Sequence, residues 1–361
     1  MKLKIRKIFI AGLVLLLCHS AIYQSFGQNT PKEIQKDGVT YKLADRPLYI
    51  DPVYNGSTDP LVCYNNEAQK WYMYYTSRRS NVQGLNGIES IHGTPIGIAA
   101  SDDGGATWEY IGDCNIDYHP DENPTYWAPE VIEYEGTYHM YLSYVPGIFN
   151  DWNHPRDIVH LTSKDGINWT SQSVLKLAKR KVIDAGVFQL PSGKWLLWYK
   201  NEGVDNEIWY AESDDLYNWT DKGEVELGGV HGEGANVIYW HDKYYMIVDE
   251  WKGLSVFSSD DAYNWEKQEE YLIAGIPVEQ DEATTTPEGQ RPRMQRMIDG
   301  TRGNHADIQL ANGNAYMFYF SNIPADMNMR GSAVYVQELI HNEDGTISCD
   351  PLAPCYINLN E

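Results

Sequence analysis

From about residue 57 onward, apolar and aromatic residues recur at every second position in short runs, and Gly, Asn, Asp or Ser interrupts the runs at close intervals. "KWYMYYTS" (70–77), "TYHMYLSY" (137–144), "KWLLWYK" (194–200), "KYYMIVDE" (243–250) and "AYMFYFS" (315–321) are the clearest. Period two is the signature of half-buried strands, and almost nothing in the chain shows the 3.6 period of a helix. A shorter apolar stretch precedes each run, as in "PLVCYNN" (60–66) or "DIQLANG" (307–313), and another follows, as in "IGIAA" (96–100) or "EIWYAE" (207–212).

Four of these units close on one signature: "SDDGGATW" to Trp108, "SKDGINW" to Trp169, "SDDLYNW" to Trp219 and "SSDDAYNW" to Trp265. A fainter fifth, "YVQELIHNEDGTIS" (335–348), lacks the Trp. The signature reads as an acidic turn between two strands. Ser or Asp oxygens bond the turn's own amides, Gly or Asn takes positive φ, and the indole packs back. Four strands per unit and five units predict an all-β fold, a five-bladed β-propeller of four-stranded antiparallel blades running from about Asp59 to Ile347. With 27 Tyr and 12 Trp the chain has large wedges to place between blades. Residues 28–361 are expected to form one propeller domain.

A propeller brings the start of every innermost strand to one mouth of a shared channel. Aligning the units on Trp71, Tyr138, Trp195, Tyr244 and Tyr316, and counting back eleven residues (twelve in the first unit), gives Asp59, Trp127, Asp184, Glu233 and His305. A purely architectural position would repeat one small or apolar residue. This one carries three carboxylates, an imidazole and an indole, the set expected of a site. Carboxylates sharing one cavity are pushed apart in pKa, which suits an acid/base pair that cleaves an acetal.

Composition narrows the partners. The formal net charge is −23, and the basic leader makes the remainder more acidic still, which argues against nucleic acid or an anionic membrane as partner. Lys2, Lys4, Arg6 and Lys7 ahead of "IFIAGLVLLL", with "SFG" before Gln28, predict a signal peptide over 1–27 and export to the periplasm or cell surface, with no membrane span. Cys349 and Cys355 bracket "CDPLAPC", where a disulfide and free thiols are equally compatible with the spacing. No Cys/His cluster suggests zinc.

The segments Ser57-Thr58-Asp59-Pro60, "YWAPEV" (126–131), "VIDAGVF" (182–188), "GEGANV" (232–237) and "RGNHADI" (302–308) resemble, in order and blade position, glycoside hydrolase family 43 and its five-bladed relatives, including the family 117 neoagarooligosaccharide hydrolases. The resemblance implies an inverting glycosidase acting on plant or algal oligo- or polysaccharides. It makes Asp59 the general base, Asp184 the aspartate that orients and tunes the acid, Glu233 the general acid and Trp127 a wall of the sugar pocket. It requires no cofactor, and it associates His305 with a water-coordinated metal, often calcium, on the channel floor. Where that family has Pro-His after its Glu-Gly, this chain has Ala235-Asn236. Glu130 is a spare carboxylate and reserve acid, and His231 or His305 is an alternative proton donor. Arg78 and Arg302 are candidate forks for an anionic sugar. The same basic groups leave open a lyase or dehydratase acting on uronic-acid oligosaccharides. The acidic turns admit a sialidase, disfavoured by five rather than six blades, and a glycan-binding propeller is the non-catalytic alternative. The 275–303 loop is expected to fold over the mouth or to mediate self-association, and its length is equally compatible with mobile decoration; oligomeric state stays open.

Overall fold

The computed structural model describes residues 30–178, 181–277 and 297–360. The leader and the centre of the 275–303 loop lie outside them.

Five antiparallel sheets follow one another along the chain. Their innermost strands are Ser57–Asn65, Thr125–Tyr134, Val182–Gln189, Glu233–Trp240 and Asn304–Ala311. Each packs beside the next, and the fifth packs against the first, so the ring closes. Four sheets have four strands; the second gains a short fifth strand, Asn115–Ile116, parallel to its outermost one. The described residues contain no α-helix, only three single turns of 3-10 helix. The fold is a five-bladed β-propeller. Among the described residues, no helix is long and apolar enough to cross a membrane.

The alternating runs are the second strands. One face of Lys70–Ser77 packs Met73 and Tyr75 with the fifth blade, and the other packs Tyr72 and Tyr74 with the second. Blades are therefore joined by aromatic layers, and this is where the tyrosines and tryptophans are spent. A three-stranded sheet of Glu33–Lys36, Val39–Leu43 and Tyr356–Ile357 ties the two ends of the described chain together.

The acidic turns form as their composition dictates. In the third blade, Ser213 Oγ accepts from the amides of Asp215 and Leu216. Asp215 accepts from the amides of Tyr217 and Asn218 and from the Asn218 side chain. Trp219 donates its indole N–H to the Leu216 carbonyl. The left-handed position that Gly105 and Gly166 hold in blades one and two is held by Leu216 (φ 65°) and Ala262 (φ 64°) in blades three and four, a local strain that surrounding packing overrides. Cys349 and Cys355 are separate thiols, both pushed up in pKa by burial, Cys349 to about 12.

Candidate active site

The opening third of every innermost strand carries a bulge. Pairing with the second strand slips by one residue between Thr58 and Leu61, Trp127 and Glu130, Ile183 and Gly186, Glu233 and Asn236, and Asn304 and Asp307. The residue just past each slip is left-handed: Asp59 (φ 51°), Ala128 (42°), Asp184 (59°), Gly234 (60°) and His305 (39°). Four of these are not glycine, and backbone strain of this kind collects where a chain must aim a side chain.

The bulges correct the register. Asp59, Asp184 and His305 share the left-handed position, whereas Trp127 and Glu233 stand one residue earlier, beside Thr58, Ile183 and Asn304. The hairpin turns differ in length from blade to blade, so a fixed count from the second strand slips. Both positions nevertheless face the channel, and Asp59, Trp127, Asp184, Glu233 and His305 all line one cavity of about 750 Å³. The glycines around Glu233 allow close approach. A Cβ on Gly234 would stand 2.9 Å from the His305 ring, and one on Gly232 would stand 2.5 Å from a Val248 methyl.

The second-strand residue opposite each slip reaches into the next blade. Thr76 Oγ1 accepts from the Ala128 amide at 2.8 Å, and Ser143 Oγ from the Asp184 amide at 2.9 Å. Asp249 Oδ2 accepts from the His305 amide at 3.1 Å. In the third blade the equivalent Lys200 places Nζ 2.7 Å from Glu233 Oε2. In the fifth, Phe320 supports Arg78, whose guanidinium carbon lies 5.1 Å from the ring centroid. Each blade thus fixes the strained residue, or the charge, of its neighbour.

Electrostatics divides the carboxylates. Burial, then the charge of Glu233, raises Asp184 well above the usual carboxylate range; Lys200 pulls the other way and Asp59 adds to the rise. Asp249 is raised to about 7, by burial first and Glu233 second. Lys200 stays cationic, because Glu233, Asp184 and Glu202 together outweigh its burial. Asp59 stands 3.6 Å from Arg78 and 3.8 Å from His305 Nδ1, and accepts from Thr58 Oγ1 at 3.1 Å. Trp127 donates its indole N–H to the Ile91 carbonyl and lies under the Arg156 guanidinium.

Two candidates fall outside the cavity lining. Glu130 is buried between blades, where it accepts from the Val187 amide at 2.9 Å, so it joins blades two and three rather than serving as a reserve acid. Asp307, at the same register in blade five, accepts from the Val62 amide and joins the ring's last seam. His231 sits half-exposed on the loop before blade four, its Nδ1 2.6 Å from the Asp205 carbonyl, and does not line the cavity. Arg78 and Arg302 do line it. Arg156 lines it as well, and sequence reasoning missed Lys200, Asp249, Glu202, Trp152 and Trp251, which also line it. Lys200 and Asp249 were within reach, since both stand five residues after the aromatics used for counting.

No group of three or more His, Cys, Asp or Glu side chains gathers at metal-binding spacing among the described residues. His305 Nδ1 stands 3.8 Å from Asp59, so a calcium ion beside His305 would take most of its six to eight ligands from water.

The closed ring of blades and the carboxylate-lined cavity at its mouth define a propeller glycosidase. Residues 49–347 match the family described as glycosyl hydrolases family 43, and the chain belongs to that family. Among solved structures it is similar to a thermostable family-43 glycoside hydrolase (TM-score 0.58, 19% identity, 87% of this chain and 99% of that one). It is also similar to CoXyl43, a β-xylosidase/α-arabinofuranosidase from a compost microbial metagenome in complex with xylotriose (TM-score 0.60, 16%, 87% and 99%). A GH43_1 enzyme from Xanthomonas citri complexed with xylose matches at TM-score 0.57 and 14% identity over 81% of this chain and 90% of that one. No curated protein matches the chain.

Proposed function

We propose that the protein is an exported, exo-acting glycosidase that removes terminal sugars from plant or algal oligosaccharides with inversion. The observation that carries this reading is the convergence of Asp59, Asp184 and Glu233, from three separate blades, on one cavity. A cavity of that size suits one or two sugar rings.

In this reading Asp59 takes a proton from a water at the anomeric carbon, and Glu233 gives one to the departing oxygen. Asp184 acts through Glu233: its buried carboxyl and the Lys200 ammonium set the field in which the acid works. Trp127 supplies a flat wall for the sugar, and His305 borders the base. The similarity to enzymes bound to xylose and xylotriose makes β-xylosides and α-arabinofuranosides the first substrates to try.

The test is incubation with a panel of such oligosaccharides, read by mass. Gain of one water per cleavage is expected; products lighter by water would replace hydrolysis with elimination. Glu233→Gln should lose activity on natural leaving groups by about 10²- to 10⁴-fold and keep most of it on a dinitrophenyl glycoside, whose leaving group needs no proton. Equal losses on both would remove Glu233 from the acid's role.

A further inference from the structure

The chain carries 28 basic against 51 acidic residues, yet among the described residues the cavity lining has five acidic residues and, histidine aside, five basic ones. Its cations are Arg78, Arg156, Lys181, Lys200 and Arg302. Two of them are committed to the site's own acids: Arg156 lies 2.9 Å from Glu202, and Lys200 lies 3.2 Å from Glu202 and 2.7 Å from Glu233.

Arg78 and Arg302 differ from these. Arg78 approaches Asp59 only to 3.6 Å and rests on the face of Phe320. Arg302 donates from one terminal nitrogen to the Trp251 carbonyl and pairs with no carboxylate among the described residues. The Nε of each, like that of Arg156, is buried and has no acceptor among the described residues; what sets Arg302 apart is the lack of a carboxylate partner among the described residues. A desolvated donor without an acceptor is unfavourable; the guanidiniums that carry these two line the cavity, so a ligand there can draw on their remaining N–H groups. Guanidinium groups match planar or tetrahedral oxyanions two bonds at a time, and a neutral hydroxyl cannot satisfy them as fully. Trp251, 38% exposed, carries the carbonyl that holds Arg302, and its ring, whose centroid lies 5.1 Å from Lys200 Nζ, lines the same cavity as a face for a sugar.

We propose that Arg302, with Arg78 on the neighbouring blade, receives an anionic group of the bound sugar, a carboxylate or a sulfate ester. The inference rests on the glycosidase reading for the ligand's being a sugar. The donors recognise the oxyanion common to both sources, and the experiment separates them.

The test compares wild type, Arg302→Gln and Arg302→Lys on oligosaccharides that differ only at C6 of the terminal sugar: hydroxymethyl, carboxylate or sulfate ester. Calorimetry with galactose, galacturonate and galactose 6-sulfate gives a readout independent of turnover. At low salt, one of the two anions should exceed its neutral counterpart by about tenfold or more in affinity and in kcat/KM. That preference should weaken at about 0.5 M salt. Arg302→Gln should abolish it, and Arg302→Lys should keep part of it, with unfolding temperatures showing that both variants fold. Neutral sugars bound and cleaved as well as both anions, or a preference that survives Arg302→Gln, would overturn the proposal and leave the glycosidase reading standing. An anion that binds through Arg302 while no glycoside is cleaved would do the reverse.

Discussion

The two ends of a blade use the same residue type in opposite ways. At the outer end, Asp165, Asp215 and Asp261 sit in near-identical turns and are all held at about 2. At Asp165 and Asp261 partial burial opposes ionisation, and the amides and asparagine side chain of the turn outweigh it; at Asp215 the Asn218 side-chain bond is the largest influence. At the inner end, burial lifts Asp249 to about 7 and Asp307 to about 6, and raises Asp184 and Glu130 well above their ordinary range. The outer turn repeats because every blade needs the same corner. The inner bulge repeats its backbone but changes its side chain, because the five blades contribute different parts to one cavity. Repetition of shape with variation of chemistry separates a working position from an architectural one.

The comparison can be broken from either end. The largest effect belongs to the cavity: Asp59→Asn should lower kcat by about 10²- to 10⁴-fold while leaving the unfolding temperature nearly unchanged. The reverse is expected of Asp215→Ala, which should cost about 1–2 kcal/mol in denaturant unfolding and leave kcat intact at moderate temperature. Next is Ser143→Ala, which strands the buried Asp184 amide. It should cost about 1–3 kcal/mol and also depress kcat, joining the two kinds of loss in one residue.

The pH dependence of stability has two arms of opposite sign. Asp215 is depressed from 3.8 to about 2, so its contribution is fully present above pH 4 and is lost as pH falls toward 2. Asp307 is raised from 3.8 to about 6, so the folded protein keeps that proton after the unfolded chain has released it. Its contribution is greatest below pH 4 and declines as pH rises through 6. Urea midpoints across pH 2 to 7 should therefore show a shallower acid arm in Asp215→Asn, Asp165 and Asp261 carrying the rest. They should show a shallower decline between pH 4 and 6 in Asp307→Asn, Asp249, Asp184 and Glu130 carrying the rest. An unchanged slope in either variant would dissociate that residue from its arm. The smallest effect is Ala262→Gly, which relieves the left-handed strain and should stabilise by about 1 kcal/mol, less what the lost methyl contributed.

The blades were legible because period-two aromatics and acidic turns are local signals. So was the presence of chemistry at the strand openings. The register was not, because the hairpin turns differ in length and nothing in the sequence marks the bulge that separates Glu233 from Asp184's position. Glu130 read as a reserve acid because a carboxylate near "YWAP" gives no sign that its oxygen faces the Val187 amide of the next blade. Lys200 and Asp249 stand where their strands look apolar, and their roles exist only across a blade seam. His231 was drawn in by nearness to Glu233 in sequence, which a strand start does not convert into nearness in space.

The most direct test of the central claim is proton NMR of a susceptible oligosaccharide during its first minutes of cleavage, before mutarotation mixes the anomers. With Asp59 delivering water opposite to the group that Glu233 protonates, the first-formed sugar should carry the inverted configuration. A first-formed sugar of retained configuration would mean that a carboxylate attacks the anomeric carbon itself, and the assignment of base and acid would not stand.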